Sequence, residues 1–382
     1  MIESESFLKK LSLPLLLISL PSAVMSVLMP MYTSELGLTP LQITGLFSVF
    51  SLGLVIIRPL IGYISDKIGR KSIFVSGLVF YALSYYIYSN AEVLSMIYIG
   101  RGLQSVAAVF VGISSYSMVA DFNMKKNAGN FGKVDSYSEK GGLLGVLLCF
   151  CVLNVPELKD GWSKLFLICT AASIIAVVYS IINIKETKTV IHNDNINVSL
   201  PVLKNKIILF NAFVRIFTSS IFSIFVLYLQ RRFDSDLLEI GIAFLIPSVI
   251  IAYAYPMIGR ISDNIGSRKA LSYSISMLMI ILLILPYANN IYLYGLVWTA
   301  YYIVSSFFGV TINSVFVEDI PEEIRGSAVG KLSMGANMGA FIGPIIGGFA
   351  LQETGIRAPF FISAAGVAIS LVLLMYYIKR SA

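Results

Sequence analysis

Long apolar runs alternate with short polar clusters along the whole chain. Twelve of these runs reach the roughly 20 residues that an α-helix needs to cross a bilayer. They lie near residues 11–31, 41–63, 72–90, 92–120, 132–155 and 163–184, and then near 207–230, 238–258, 269–288, 291–317, 328–352 and 358–378. The polar stretch from Lys185 to Lys206 separates the two sets. Several runs contain proline: Pro14, Pro21, Pro59, Pro247, Pro256 and Pro344. Such prolines do not argue against helices here, because neighbouring helices re-satisfy the backbone groups that they free. The pattern predicts an all-α membrane protein of twelve transmembrane helices. Met1 to Lys10 lead straight into the first run, with no small-residue cleavage site after a short apolar core. That predicts a retained first helix rather than a signal peptide.

Composition supports the bilayer. Of 382 residues, 57% are hydrophobic and only 13% are charged. A soluble domain carries about 25% charged residues. Half that share cannot clothe a water-facing surface. The net charge of +7 invites a nucleic-acid reading. The charges sit in short clusters between apolar runs, which excludes it.

Counted by side of the predicted membrane, 19 Lys and Arg flank the N-terminal side and 5 the other. Arg58, Arg101, Lys140 and Arg215 fall inside spans. By the positive-inside rule both termini and the 185–206 loop are expected in the cytoplasm, with the protein in the plasma membrane. Cys149, Cys151 and Cys169 all lie in apolar runs without metal-type spacing. They read as small packing residues, and His192 as a solvated loop residue. No metal and no cofactor are expected. No Gly-x-x-x-x-Gly-Lys-Ser/Thr loop is present, and the extramembrane segments are too short for an ATPase domain. Energy must come from a gradient, or the protein is a facilitator.

An internal repeat organises the spans. Pro59, Gly62, Ser65, Asp66 and Gly69 recur as Pro256, Gly259, Ser262, Asp263 and Gly266, each 197 residues later. Gly132 and Lys133 recur as Gly330 and Lys331, and Gly141 and Gly145 as Gly339 and Gly343, at an offset of 198. The chain therefore reads as two copies of a six-helix unit, 1–184 and 207–382, joined by the linker 185–206. A parallel repeat of this kind is a transporter plan, with the substrate site expected between the halves near mid-membrane.

At this point the chain resembles the major facilitator superfamily. Gly62, Asp66, Gly69, Arg70 and Lys71 reproduce that family's Gly-x-x-x-Asp-x-x-Gly-Arg-Lys loop between helices two and three. The second copy keeps Gly259, Asp263 and Gly266 but has Ser267 in place of the arginine. Arg101-Gly-Leu-Gln104-Ser105 is similar to the family's Arg-x-x-Gln-Gly in helix four, with Ser for the last Gly. The resemblance covers the whole chain. It implies the two-bundle major facilitator fold and a gating role for Asp66, Arg70, Lys71 and Asp263 on the cytoplasmic side. The family's antiporter motif, Gly-Pro-x-x-Gly-Gly in helix five, is absent from that helix, where Val146 replaces the proline. The same pattern stands in helix eleven, at Gly343 to Gly348.

The residues themselves suggest roles. A carboxylate at the end of one helix, such as Asp66, can receive another helix's N-terminal amides or pair with Arg or Lys. Arg101 lies roughly 12 Å into the fourth span. A charge at that depth rarely faces lipid and marks function or a buried structural tie. Gln104, Ser105, Ala108, Gly112 and Ser115 continue its face. Asp135 and Glu139 share a face of the fifth span, with Lys140 adjacent. Partial burial would raise the Glu139 pKa and Lys140 or Arg101 would lower it, so Glu139, Lys140 and Arg101 are the candidates for proton coupling. Arg215, about 12 Å into the seventh span, shares a face with Asn211 and Thr218. Arg101, Gln104, Asn211, Arg215, Trp298 and Tyr301 are the substrate-binding candidates. Trp298, Tyr301, Tyr302, Phe307 and Phe308 either line a cavity or pack the interior. Gly335, Gly339, Gly343 and Gly347 make one bare helix face, expected to admit a close neighbour.

The expected function is secondary transport by alternating access, with a small-molecule substrate, protons and the lipid bilayer as partners, and no enzyme activity. The helix 1–2 region resembles the drug-efflux branch, which implies proton-coupled export of amphipathic compounds by a monomer. Import or facilitated passage of a sugar or organic anion, with Arg101 and Arg215 reading the anion, is the first rival. A membrane sensor without transport is the second, although no output domain is present.

Overall fold

The computed structural model describes residues 2–122, 127–152, 158–187, 202–236, 238–243, 246–247, 250, 257, 261, 264–318, 320 and 322–381. Among these residues all regular structure is helical. The first half contains α1 (Ile2–Ile18), α2 (Ser22–Glu35), α3 (Pro40–Ile68), α4 (Arg70–Ser89), α5 (Leu94–Phe122), α6 (Asn127–Val152) and α7 (Leu158–Asn183). The second contains α8 (Val202–Phe233), α9 (Ser267–Ile284) with a short 3₁₀ turn at Leu285–Tyr287, α10 (Ile291–Val317), α11 (Glu322–Glu353) and α12 (Ala358–Ser381). Nine of the described helices are long and apolar enough to cross a membrane.

The helices follow the apolar runs and overrun several of them by a turn or more. Polar turns at a membrane interface still close their own backbone hydrogen bonds. Of the predicted eighth span, only 238–243 and scattered later positions are described. Pro256, Gly259 and Asp263 lie outside the described residues.

The first span differs from the expectation of one continuous helix. It breaks between Ile18 and Ser22 into α1 and α2. Pro21 has no N–H to continue the ladder. Ser22 N–H donates to the Ser19 carbonyl at 3.0 Å instead. The Tyr85 hydroxyl on α4 donates to the carbonyl of Ile18 at 2.5 Å, so this buried carbonyl at the break is satisfied by a side chain. Pro14, Pro59 and Pro344 stay within continuous helices.

The chain divides into two compact units. One comprises Met1–Leu38 and Val49–Asp194, the other Thr39–Ser48 and Asn195–Ala382. In the first unit the core gathers Phe7, Leu11 and Leu15 of α1 with Phe74 and Leu78 of α4 and Met118 of α5. A stack of aromatics closes one end: Tyr32 lies flat on Trp162 at 4.3 Å, and Trp162 Nε1 donates to the Tyr88 carbonyl at 2.6 Å. The second unit has its own stack, in which Trp298 lies on Phe225 at 4.2 Å. Outward faces of α4, α7, α9 and α12 carry bare apolar side chains, among them Leu83, Ile182, Ile280 and Val372. Bands of this kind suit hydrocarbon and would be costly in water.

Helices approach most closely through glycine. A Cβ on Gly141 or Gly145 of α6 would stand 2.3 Å from the Leu16 carbonyl oxygen or 1.5 Å from that of Leu20. In the second unit, a Cβ on Gly335, Gly339, Gly343 or Gly347 of α11 would come within 3 Å of α8 atoms. At Gly339 the nearest are the Ala212 carbonyl at 2.2 Å and the Arg215 Cβ at 2.7 Å. The repeat thus reuses one packing device, a bare face against a neighbour's backbone, where lipid supplies no hydrophobic drive for helix association. Asn211 adds a polar tie, its side-chain amide donating to the Leu332 carbonyl at 3.3 Å.

Gly343→Ala is expected to destabilise the protein by about 1–3 kcal/mol, because α8 backbone cannot retreat from the added methyl. Gly295→Ala has open space and is expected to be neutral or to stabilise by up to about 1 kcal/mol through helix propensity. Thermal unfolding in detergent compares the two, and equal midpoints would contradict the packing account.

Candidate functional site

Four places bring chemistry-bearing residues together. The first is a cavity of about 460 Å³ within the second unit. Helix α8 lines it with Arg215, Thr218, Ser219 and Phe222, an i, i+3, i+4, i+7 face. Helix α10 adds Tyr301, Tyr302, Ser305, Ser306 and Gly309, and α11 adds Ala336, Asn337 and Ala340. Gly309 leaves room for the guanidinium, since a Cβ there would already touch Arg215 Nη2 at 3.6 Å. Among the described residues the lining holds one Arg and no Asp, Glu or His.

Hydrogen bonding sorts the polar lining into two groups. The Ser219 hydroxyl donates to the Arg215 carbonyl at 2.7 Å, and Tyr301 donates to the Thr218 carbonyl at 2.9 Å. Thr218 bonds weakly back along its own helix. These hydroxyl protons are committed to backbone. Among the described residues, Ser305, Ser306 and Asn337 have no hydrogen-bond partner. Trp298 stands behind the wall, fully buried, with its ring 5.0 Å from that of Tyr301. Asn211 is likewise buried in the α8–α11 contact and does not line the cavity.

The second place is Arg101. It is 7% exposed and donates from Nη1 to Gln104 Oε1 at 2.7 Å. The same oxygen accepts the Tyr88 hydroxyl at 3.1 Å. The guanidinium stacks over the Phe50 ring at 4.7 Å from its centroid. Ser105 on the same face meets Gly53 of α3, where a Cβ would fall 1.8 Å from Ser105 Oγ. This stripe therefore packs tightly on α3 over at least part of its length.

The third place is the polar helix α6. Asp135 accepts a short hydrogen bond from the Tyr116 hydroxyl on α5. The partial burial expected for Glu139 is not observed. Glu139 and Lys140 are both exposed, because the neighbouring face of α6, with Gly141 and Gly145, is the one turned to α1 and the Leu20 bend. The Lys140 ammonium lies 5.8 Å over the Tyr137 ring. Arg101 itself meets Gln104 and Phe50.

The fourth place is the loop after α3. Gly69 has φ +109°, and its counterpart Gly266, 197 residues on, has φ +88°. Only glycine takes such angles without strain. The turn exposes the first amides of α4, and Glu186 caps them: Arg70 N and Lys71 N donate to its two oxygens at 3.0 and 3.2 Å. A carboxylate at a helix N-terminus is favoured by the helix dipole as well as by the bonds. The Arg70 guanidinium pairs with Asp121 at the end of α5, Nε to Oδ2 3.1 Å. Thr187 donates to the same Asp121 oxygen at 2.9 Å, and Lys71 Nζ reaches the Ile181 carbonyl at 2.7 Å. Gly62 and Asp66 lie in the backbone of α3; the Asp66 side chain, like Asp263, is outside the described residues.

Sequence reasoning omits Asp121, Glu186 and Thr187. The repeat contains the signal for the first. Glu318 stands 197 residues after Asp121, and it pairs with Arg268 at 3.8 Å. Arg268 is itself the repeat counterpart of Lys71. Nothing local marks Glu186, which meets Arg70 across 116 residues.

Similarity to known proteins agrees with this architecture. Quinolone resistance protein NorA of Staphylococcus aureus (strain MSSA476) is 25% identical over 358 residues, 90% of each chain. Multidrug resistance protein MdtG of Proteus mirabilis (strain HI4320) is 33% identical over 141 residues, 37% of this chain and 35% of that one. The crystal structure of the nucleoside transporter NupG superposes with a TM-score of 0.75 at 14% identity, over 98% of this chain and 99% of that one. A bacterial homolog of the human lysosomal transporter Spinster superposes with a TM-score of 0.79 at 15% identity, over 97% and 96% of the two chains. The family profile described as Major Facilitator Superfamily matches residues 11–317 and 208–382, and the chain is accordingly a member of that superfamily, a multi-pass membrane transporter and not an enzyme.

Proposed function

We propose that this transporter exports small amphipathic organic molecules by alternating access between its two six-helix halves, and that proton entry drives the export. The observation that carries the reading is the cavity of the second unit. Its wall combines aromatic faces, Phe222, Tyr301 and Tyr302, with hydroxyls, an amide and one cation. A pocket of that volume and mixture suits a drug-sized molecule with a polar end. The full-length similarity to NorA, whose name records quinolone resistance, supports export over import. Both termini are assigned to the cytoplasm of a plasma-membrane protein, on the 19-to-5 asymmetry of Lys and Arg.

The proton is assigned to a different place from the substrate. Among the described residues the cavity lining offers no titratable carboxylate. Asp135 and Glu139 stand one turn apart on α6, both exposed, with Tyr116 holding the first. Arg101, buried with Gln104 and Tyr88, is assigned to keeping α5 in register while α6 loads and releases the proton. In proteoliposomes an imposed pH gradient should accelerate flux of a fluorescent amphipathic dye. Glu139→Gln with Asp135→Asn should remove the driven component, a loss of at least about tenfold (~1.4 kcal/mol), and leave exchange in place. Flux indifferent to the gradient in the unaltered protein would refute the coupling.

The loop network is assigned to the switch between states. Arg70 and Asp121 are nearly enclosed, at 13% and 7% side-chain exposure. Removing one partner of such a pair costs about 3–5 kcal/mol. Arg268 and Glu318 are half-exposed, at 58% and 50%, where a pair contributes about 0–1 kcal/mol. Asp121→Asn should therefore cut transport at least about tenfold with protein still in the membrane, whereas Glu318→Gln should stay within about twofold. Equal effects of the two substitutions on dye efflux from cells would contradict the assignment.

A further inference from the structure

One end of each unit is built on a shared plan, and the two copies differ there in charge. In the first unit Tyr32 of α2 stacks on Trp162, the Tyr32 hydroxyl donates to the Ala91 carbonyl at 2.7 Å, and Lys159 pairs with Glu92 at 2.8 Å. Each of these donors has its acceptor. In the second unit Tyr228 of α8 stands 196 residues after Tyr32. Arg357 and Phe360 stand 198 after Lys159 and Trp162, and Asn289 stands 197 after Glu92. Arg231 and Arg232 follow Glu35 at 196 and 197. Two carboxylates of the first copy, Glu35 and Glu92, are thus replaced by arginine and by an amide.

The result is a set of donors in need of an acceptor. Tyr228 is fully buried, its ring 4.8 Å from that of Phe360 and 5.0 Å from that of Tyr294. Arg232 and Arg357 lie within electrostatic reach of its hydroxyl. A guanidinium can donate to a phenol oxygen but cannot accept the phenol's proton. Among the described residues the Tyr228 and Tyr294 O–H groups find no acceptor. Among them too, no ion pair joins Arg231, Arg232 or Arg357 to a carboxylate. Asp236 and Glu239, next in the chain, accept each other's backbone amides at 2.8 and 3.3 Å. The unit's acidic side chains outside the described residues, Asp263, Asp319, Glu322 and Glu323, precede α9 or follow α10 in the chain, whereas this corner is made by the end of α9 and the start of α10. A buried hydroxyl without an acceptor is costly, and native structures supply one.

Helix dipoles show that simple capping is not enough. Arg231 and Arg232 end α8, where the dipole favours cations. Arg357 precedes α12, where the dipole opposes one, and the first turn of α12 holds no acidic residue. Lys159 at the start of α7 is placed likewise, and Glu92 offsets it. We propose that this corner of the second unit binds a phosphate group, held by Arg232 and Arg357 with the Tyr228 hydroxyl donating. Arginine forks match phosphate oxygens, and an acceptor-only oxyanion satisfies the phenol. Four candidate spans end or begin here, at Phe233, Tyr287, Ile291 and Ala358, which is the level of a phospholipid headgroup. A free phosphate would use the same groups. None of them lines the substrate cavity, so the site is independent of the export reading.

Isothermal titration of the full-length protein in neutral detergent tests the site with three probes: dioctanoylphosphatidylglycerol, dioctanoylglycerol and inorganic phosphate. The phospholipid should bind at least about tenfold more tightly than the phosphate-free diacylglycerol. Arg232→Gln with Arg357→Gln should weaken phospholipid binding at least about tenfold. Asn289→Glu, at an exposed position, returns the carboxylate of the first copy and should weaken binding as much. Tyr228→Phe should weaken it about threefold. Inorganic phosphate that displaces the lipid upholds an oxyanion site open to free phosphate; phosphate without effect upholds the same site as one for the headgroup. Equal binding of phospholipid and diacylglycerol overturns the proposal. So does phospholipid binding that Asn289→Glu leaves unchanged, a result that stands even if the arginine variant folds poorly.

Discussion

The close approach of α11 to α8 is the contact on which the site depends. Four glycines on one face of α11 let it lie against α8 backbone. In a bilayer this contact has no hydrophobic drive, so dispersion between tightly fitted backbones must hold it. Two of those glycines lie directly behind cavity residues: Gly339 against Arg215, and Gly343 against Ser219 Oγ, 2.1 Å from where a Cβ would stand. The packing face and the cavity face of α8 thus adjoin on the same few turns and share Arg215 and Ser219. The first unit repeats the device with Gly141 and Gly145, and there the partners are Leu16 of α1 and the bend at Leu20.

The two units diverge in what they build on this shared frame. Gln104 and Tyr301 occupy equivalent places in the 197-residue repeat, as do Arg101 and Trp298. In the first unit the charged member is buried and bonded to Gln104. In the second unit the equivalent place holds a tryptophan in an aromatic stack, and the charge has moved to α8, at Arg215, where a cavity opens. One copy has kept its polar residues for internal order and the other has turned them toward space. That division underlies the assignment of substrate to the second unit and of the proton to the carboxylates of α6.

Much of the fold was legible in the chain itself, because a bilayer demands long apolar runs and tolerates little else. The ends of α10 coincide with the run that predicts it. The break at Pro21 was not legible, since a membrane helix often accommodates proline and only the Tyr85 hydroxyl on another helix decides the matter. Position along a helix was readable for Arg101, Glu139 and Arg215, but the face was not. Glu139 is exposed where partial burial was expected. Trp298 and Tyr301 share a face one turn apart, yet one is behind the wall and the other is the wall. The Asp121 pairing is readable from the repeat; the Glu186 cap is not, because it joins positions with no common pattern.

The central claim is that the cavity of the second unit receives the substrate. A cryo-EM structure of the full-length transporter in lipid nanodiscs, saturated with a transported amphipathic dye, tests it most directly. The account predicts ligand density in that cavity, beside Arg215 and flanked by Ser306 and Asn337. Ligand density elsewhere, with the space around Arg215 empty of it, would contradict the account.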